Sequence, residues 1–356
     1  MTGRGVDQIL RYRSDPRIHE PMASCAEEYV QLAERANGPI PRPVDPDYIW
    51  GAALDELRLA GPAIYVVNLE TAITRSEDFL SKGINYRMSP ENAECLAAAG
   101  IGCCILANNH VLDWGEAGLI ETLGVLEKLG IQAVGAGRNI ISAQAPAVFE
   151  VAENRRVIVF AFASVTSGTP KDWMSGESRA GVNLLRDLSD ASAARIARQI
   201  TRIKRSADIV IVSIHWGPNW GYCVPQEQVR FAHRLIDEAN VSVVFGHSSH
   251  HAKAIERYRK GLILYGCGDF LNDYEGITGH EEYRDDLVLL YALGFDTSSG
   301  ELRQLELVPF QIRRFQLTRP SKDDVRRLQR TLDRESRPFG TSVRSQPSGR
   351  LLAERN

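Results

Sequence analysis

The sequence predicts an α/β fold in which mixed β-sheets pack between helices, and three observations carry that reading. Between Ala63 and Val134, short β-branched runs alternate with helical stretches, the rhythm of a sheet covered by helices. From Pro146 onward hairpins interleave with further strand–helix units, so parallel and antiparallel pairing share one domain. The 356 residues, 44% hydrophobic and 24% charged, form a globular composition long enough to bury a substantial core.

Residues 21–37 read as a helix, with Ser24 and Glu27 placed as a capping pair and Asn37-Gly38 as the stop. Pro39, Pro41, Pro43 and Pro46 exclude helix from the linker that follows, and residues 47–60 form a second helix ended by Gly61-Pro62. Next come strand 63–69, helix 91–99, strand 103–106, helix 115–129 and strand 132–134. Residues 146–151 and 157–163 flank Glu153-Asn154 as a hairpin. Helix 188–204 precedes strand 208–214, and helix 226–238 precedes strand 241–245. Two further hairpins join 254–257 to 262–264 and 286–295 to 302–309. Residues 320–335 form a last helix, started by Ser321 and Asp324. The division that follows is one domain over 1–316, with a helical insertion at about 12–60, and a C-terminal segment 317–356 whose Arg-rich end is mobile.

Lys and Arg number 42 against 45 Asp and Glu, a net charge of -3, so no overall field marks a nucleic-acid or membrane-surface binder. Arg313, Arg314, Arg319, Arg326, Arg327 and Arg330 could grip an acidic polymer, or form a solvated face interleaved with Asp323, Asp324 and Asp333. A spanning helix needs about 20 apolar residues; the densest run here is 157–163, so no membrane segment is expected. The opening residues mix Arg and Asp and lack the apolar stretch of a signal peptide, which as written predicts a cytoplasmic protein. Six cysteines without CxxC spacing read as reduced thiols.

Eight histidines occur, and five fall in three segments where apolar strands end: Ala107-Asn108-Asn109-His110, Ser213-Ile214-His215-Trp216-Gly217 and Phe245-Gly246-His247-Ser248-Ser249-His250-His251. A fourth strand end supplies Asn68-Leu69-Glu70. Loops at the carboxyl ends of α/β strands share one edge, so Glu70, Asn109, His215, His247 and His250 can converge there. A carboxylate, an amide oxygen and imidazoles together suit Mn, Fe or Zn better than Ca or Mg. Singly, each has a plainer explanation as a hydrogen-bonded loop residue or an Asn turn.

The ordered set NLE, ANNHxxDxG, HWG, GHxxH and YGxGDF resembles the poly-γ-glutamate capsule biosynthesis protein CapA family, a branch of the calcineurin-like metallophosphoesterase superfamily. The likeness runs from about Arg4 to Phe310. It implies a four-layer αββα sandwich of two mixed sheets with two divalent metal ions at the sheet edge. By that resemblance Glu70 is the bridging carboxylate, Asn109, His215, His247 and His250 are ligands, and His110 is the catalytic histidine. The family commonly has His-Pro-His after the glycine, whereas this chain has His247-Ser248-Ser249-His250-His251, which leaves His250 and His251 as alternatives. Asp113 fits holding the His110 imidazole and equally fits capping the next helix. Asp269 stands where the family often has Asn and adds a carboxylate near the substrate, and Arg4 is placed to clamp a phosphate.

Family members open this domain with a strand ending in a ligand Gly-Asp, whereas this sequence starts at Met1-Thr2-Gly3-Arg4 without it, so the expectation is either a start assigned at an internal Met or a protein that lacks that strand and one ligand. Trp114, Trp216 and Trp220 flank the motifs and either wall a cleft or pack in the core. The expected activity is that of a bacterial metal-dependent hydrolase, acting on a phosphoester or on an anionic small-molecule or polymer substrate. The competing expectation is a non-catalytic capsule-assembly protein that kept the fold with an incomplete metal site. Family members are often membrane-anchored or at the cell surface, and the resemblance carries that expectation as well.

Overall fold

The computed structural model describes residues 1–153, 155–296 and 298–356; Asn154, assigned by sequence to a hairpin turn, lies outside the described residues. It is a mixed α/β structure with nine α-helices among the described residues. Three parallel strands form one sheet in the order Val66–Asn68, Cys103–Ile105, Gln132–Val134. Parallel neighbours need crossovers, here through helices Glu94–Ala98 and Gly115–Lys128.

A second sheet of seven strands follows the order Leu184–Leu185, Arg155–Ser164, Ile209–His215, Val243–His247, Gly261–Leu264, Ile255–Tyr258, with Ala147–Ala152 antiparallel to Arg155–Ser164. Arg155–Ser164 shows how an unbroken apolar run becomes a central strand, since all ten of its residues are buried. Val157, Val159, Ala161 and Ala163 join one core cluster, while Ile158, Phe160 and Phe162 point to the other face and join a second. Helices Asp190–Ile203 and Gln226–Ala239 cover that second face through stripes that include Ile196, Ile200, Phe231 and Leu235.

A third, antiparallel sheet takes Leu287–Phe295, Leu302–Arg313, Leu351–Arg355 and Thr341–Ser345 in that order, with Gln316–Thr318 also on Leu302–Arg313. Two short two-stranded ribbons complete the strands. Among the described residues there are thus three principal sheets, one parallel, one mixed and one antiparallel. The expected mobile tail is corrected: Thr341–Ser345 and Leu351–Arg355 form a hairpin that joins the third sheet at Glu306↔Leu352. Val343, Leu351 and Ala353 are buried beneath helix Lys322–Ser336, and that alternation was hidden among Arg and Ser.

Two helix boundaries also differ from expectation. The first begins at Glu27 rather than 21, and Glu28, not Glu27, reaches back to accept from the Ser24 and Cys25 backbone N–H groups at 3.0 Å each. The second splits into a 3₁₀ turn Tyr48–Trp50 and helix Ala52–Ala60 at Gly51, whose φ of 42° and close approach to Leu317 leave no room for a side chain. The cysteines are free as expected; Cys95, Cys103, Cys104 and Cys267 are buried, and burial pushes the Cys103 thiol up to about 12.

Candidate active site

Strands Val66–Asn68, Cys103–Ile105, Ile209–His215 and Val243–His247 deliver the motif residues to one edge, where their side chains meet across the first two sheets. Asn108, fully buried, ties two of these ends together. Its amide donates to Asn68 Oδ1 at 3.1 Å and to the Leu69 carbonyl at 2.9 Å, while its oxygen accepts from the His110 and Val111 N–H groups at 3.0 and 3.1 Å. Asn68 in turn donates to Glu70 Oε2 at 2.8 Å, which leaves Oε1 toward His215 Nε2 at 3.7 Å.

Parallel pairing sets His215 opposite His247. Their Nδ1 atoms lie 2.7 Å apart, His215 Nε2 is 3.0 Å from Asn109 Oδ1, and His247 Nε2 is 2.6 Å from Ser213 Oγ. One proton arrangement satisfies every atom: His215 donates to Asn109, His247 donates to His215, and Ser213 donates to His247. Both rings are neutral in it, in keeping with burial, which drives both pKa values well below the ordinary histidine range.

The structure separates His250 from His251. His250 faces the edge, with Nδ1 3.1 Å from Asp269 Oδ2; burial opposes its charge, but Asp269 outweighs burial and raises its pKa. His251 turns away among Trp220, Tyr222 and Tyr283, and burial lowers it to about 4. Asp269 is also held by the Asn272 amide at 2.8 Å, so both of its sides have partners.

His110 Nδ1 lies 2.8 Å from Asp113 Oδ2, and the same carboxylate accepts from the Tyr86 N–H at 2.7 Å. Because an ionised carboxylate only accepts, Nδ1 carries the proton and Nε2 is left with its lone pair free. Asp113 therefore holds the imidazole and does not cap helix Gly115–Lys128, whose N-terminus has no side-chain cap. Arg4 is corrected in its role. Its fork is occupied by Asp273 at 2.6 and 2.8 Å and by Glu20 at 3.0 and 3.1 Å, and it is 3% exposed, so no free guanidinium faces a phosphate. Trp114 and Trp216 are core residues donating to backbone carbonyls, and only Trp220 is half-exposed.

Among the described residues no group of three or more His, Cys, Asp or Glu is gathered to hold a metal ion. A smaller donor set that includes an amide does converge: Glu70 Oε1 and Asn109 Oδ1 lie 3.7 and 3.0 Å from His215 Nε2. That spacing suits neighbouring ligands of one ion with bonds of about 2.1 Å. With the His215 proton moved from Nε2 to Nδ1, where His247 Nδ1 accepts it and His247 Nε2 donates to Ser213, the residues fit a single divalent ion at Glu70, Asn109 and His215 Nε2, while His247 and His250 are turned to protein partners.

Sequence reasoning missed Lys82, whose ammonium bonds the Asn109 carbonyl and lies 2.7 Å from Asp113 Oδ1. It missed Tyr86 and Tyr274, whose rings pack edge-on against His110 and His250. Ser213 was findable, since it lies two residues before His215 on the same strand face. Lys82 sits in a loop with no periodicity and carried no signal.

The sequence model of the bacterial capsule synthesis protein family, PGA_cap, matches residues 1–274. This chain belongs to that family. Among its relatives, a probable polyglutamine synthesis accessory protein of Mycobacterium tuberculosis is 46% identical over 353 residues, 99% of this chain and 93% of that protein. The PGA biosynthesis protein CapA of Bacillus subtilis is 25% identical over 75% of this chain and 66% of its own length. The capsule biosynthesis protein CapA of Bacillus anthracis is 26% identical over 60% and 49%. The PGA_cap match takes in every expected site residue from Arg4 to Asp269 and closes at Tyr274, before the third sheet begins. No helix among the described residues is long and apolar enough to cross a membrane.

Proposed function

We propose that this PGA_cap member is a metal-dependent hydrolase of phosphoester type that acts in the biosynthesis of an anionic capsule-like polymer. The single observation that carries the proposal is the His110–Asp113 pair, 2.8 Å apart and set beside the Glu70–Asn109–His215 donor set. The family's two-ion centre and its four-layer αββα sandwich belong to the same proposal, and the single-ion donor set supports the first ion. A divalent ion held there would supply Lewis-acid polarisation of the bond to be broken. His110 Nε2, with Asp113 stabilising the imidazolium, would protonate the leaving oxygen. Lys82 and Asn108 keep that pair and the Asn109 loop in place.

A second reading is favoured by one observation. His247 has both ring nitrogens bonded within the protein, which suits a polymer-handling member with an incomplete metal site and no turnover. Metal analysis of the purified full chain and its Mn-dependent turnover of an aryl phosphate decide between the two. Bound metal with turnover that His110→Ala abolishes, metal being retained, supports the hydrolase. No metal uptake and no turnover leaves the polymer-handling reading.

A further inference from the structure

We propose that Tyr274 is a substrate-positioning residue whose hydroxyl donates to an anionic oxygen of the bound ligand, phosphoryl or carboxyl, between His110 and His250. The inference rests on reading this edge as a ligand site and adds a recognition group to it. Proton accounting carries it. Tyr86 is 1% exposed, and the partner of its hydroxyl is the Tyr274 hydroxyl at 2.9 Å. A buried hydroxyl spends its one proton where it can, so Tyr86 donates to Tyr274.

The Tyr274 proton then needs another acceptor. Those within reach are Met1 Sδ at 3.8 Å, a weak acceptor, and His250 Nε2 at 3.5 Å, which is long and accepts only while that ring is neutral. Tyr274 is half-buried rather than sealed, so a ligand oxygen can take the place of these distant partners. Its ring stands edge-on to His250, with centroids 5.0 Å apart, as Tyr86 stands to His110 at 4.6 Å. The tyrosine pair thus spans from the His110 side of the edge to the His250 side.

Arg4 explains why the pair is rigid. Its guanidinium is sandwiched 3.6 Å from the Tyr29 ring centroid and 4.6 Å from that of Tyr86, and its fork clamps Asp273, the residue preceding Tyr274. Arg4 is therefore a positioning residue for the two tyrosines, which gives its buried charge a role that a phosphate clamp does not.

The test is calorimetric titration of the full chain with inorganic phosphate and, separately, with glutarate, with and without Mn, for wild type, Tyr274→Phe and Tyr86→Phe. Tyr274→Phe should weaken one or both anions by about ten-fold or more, and Tyr86→Phe by about three-fold. The anion that suffers identifies the phosphoryl or the carboxyl source. If Tyr274→Phe does not fold, Tyr86→Phe decides by its three-fold loss. Affinities within about two-fold of wild type, or no anion binding by wild type, overturn the proposal. Turnover is read separately: anion binding that falls in Tyr274→Phe, in a wild-type protein without turnover, refutes the hydrolase reading and leaves this inference standing.

Discussion

Asn108→Ala tests the claim that one buried amide fastens the candidate site. The side chain is fully buried and makes four hydrogen bonds, two donated to Asn68 and Leu69 and two accepted from His110 and Val111. At about 1 kcal/mol net per bond, removing all four costs about 4 kcal/mol, and more wherever a group left behind stays dry. Asn108→Asp keeps the two accepted bonds but sets a carboxylate against the Leu69 carbonyl and Asn68 Oδ1, so it should destabilise by at least about 2 kcal/mol. Urea unfolding followed by tryptophan fluorescence and circular dichroism gives the free energies, provided the two transitions coincide. Mn affinity should fall with stability, because the amide couples the Glu70 end to the Asn109 end. A loss below about 1 kcal/mol for Asn108→Ala would refute the assignment.

Asp113→Asn should lower any Mn-dependent aryl-phosphate turnover by about 10- to 100-fold, since the imidazolium loses a charge-assisted bond, with metal content unchanged; turnover within two-fold of wild type sinks the role given to Asp113. Leu351→Ala, in a fully buried position of the terminal hairpin, should cost about 2–4 kcal/mol in urea, whereas a mobile tail would register nothing. The Arg156–Asp208 pair fixes a pH dependence. Burial of Asp208 works against its charge, but Arg156 at 2.5 Å prevails and lowers its pKa, so its contribution is present above the usual aspartate range and lost as pH falls through the lowered value. The stability gap between wild type and Arg156→Gln should therefore be constant near neutrality and close in acid; a gap that widens on acidification contradicts the pairing.

The convergence of Glu70, Asn109 and His215 was legible because strands that end in His, Asn or Glu deliver them to one edge. The in-register pairing of His215 with His247 follows once both strands are read as parallel neighbours. The His250 and His251 alternatives could not be separated by sequence, since adjacent residues leave a strand end in opposite directions and the turn at Ser248 chooses which faces the edge. Arg4 was misread for a related reason: the guanidinium's partner, Asp273, is 269 residues away. The terminal hairpin was missed because Val343, Leu351 and Ala353 are too few and too widely spaced among charged residues to mark a core strand without the sheet they join.

The sequence by itself determined the strand–helix rhythm, the chemistry of the edge and membership of the PGA_cap family, because periodicity and local residue order survive without contacts. Tertiary structure alone decided how that chemistry is distributed. It set Asp113 on His110 rather than on a helix end, put Lys82 and the Tyr86–Tyr274 pair beside the histidines, and took Arg4 out of reach of any ligand. The physical reason is common to these cases. A side chain's role follows from which hydrogen-bond partners have already claimed it, and those partners come from segments that only folding brings together.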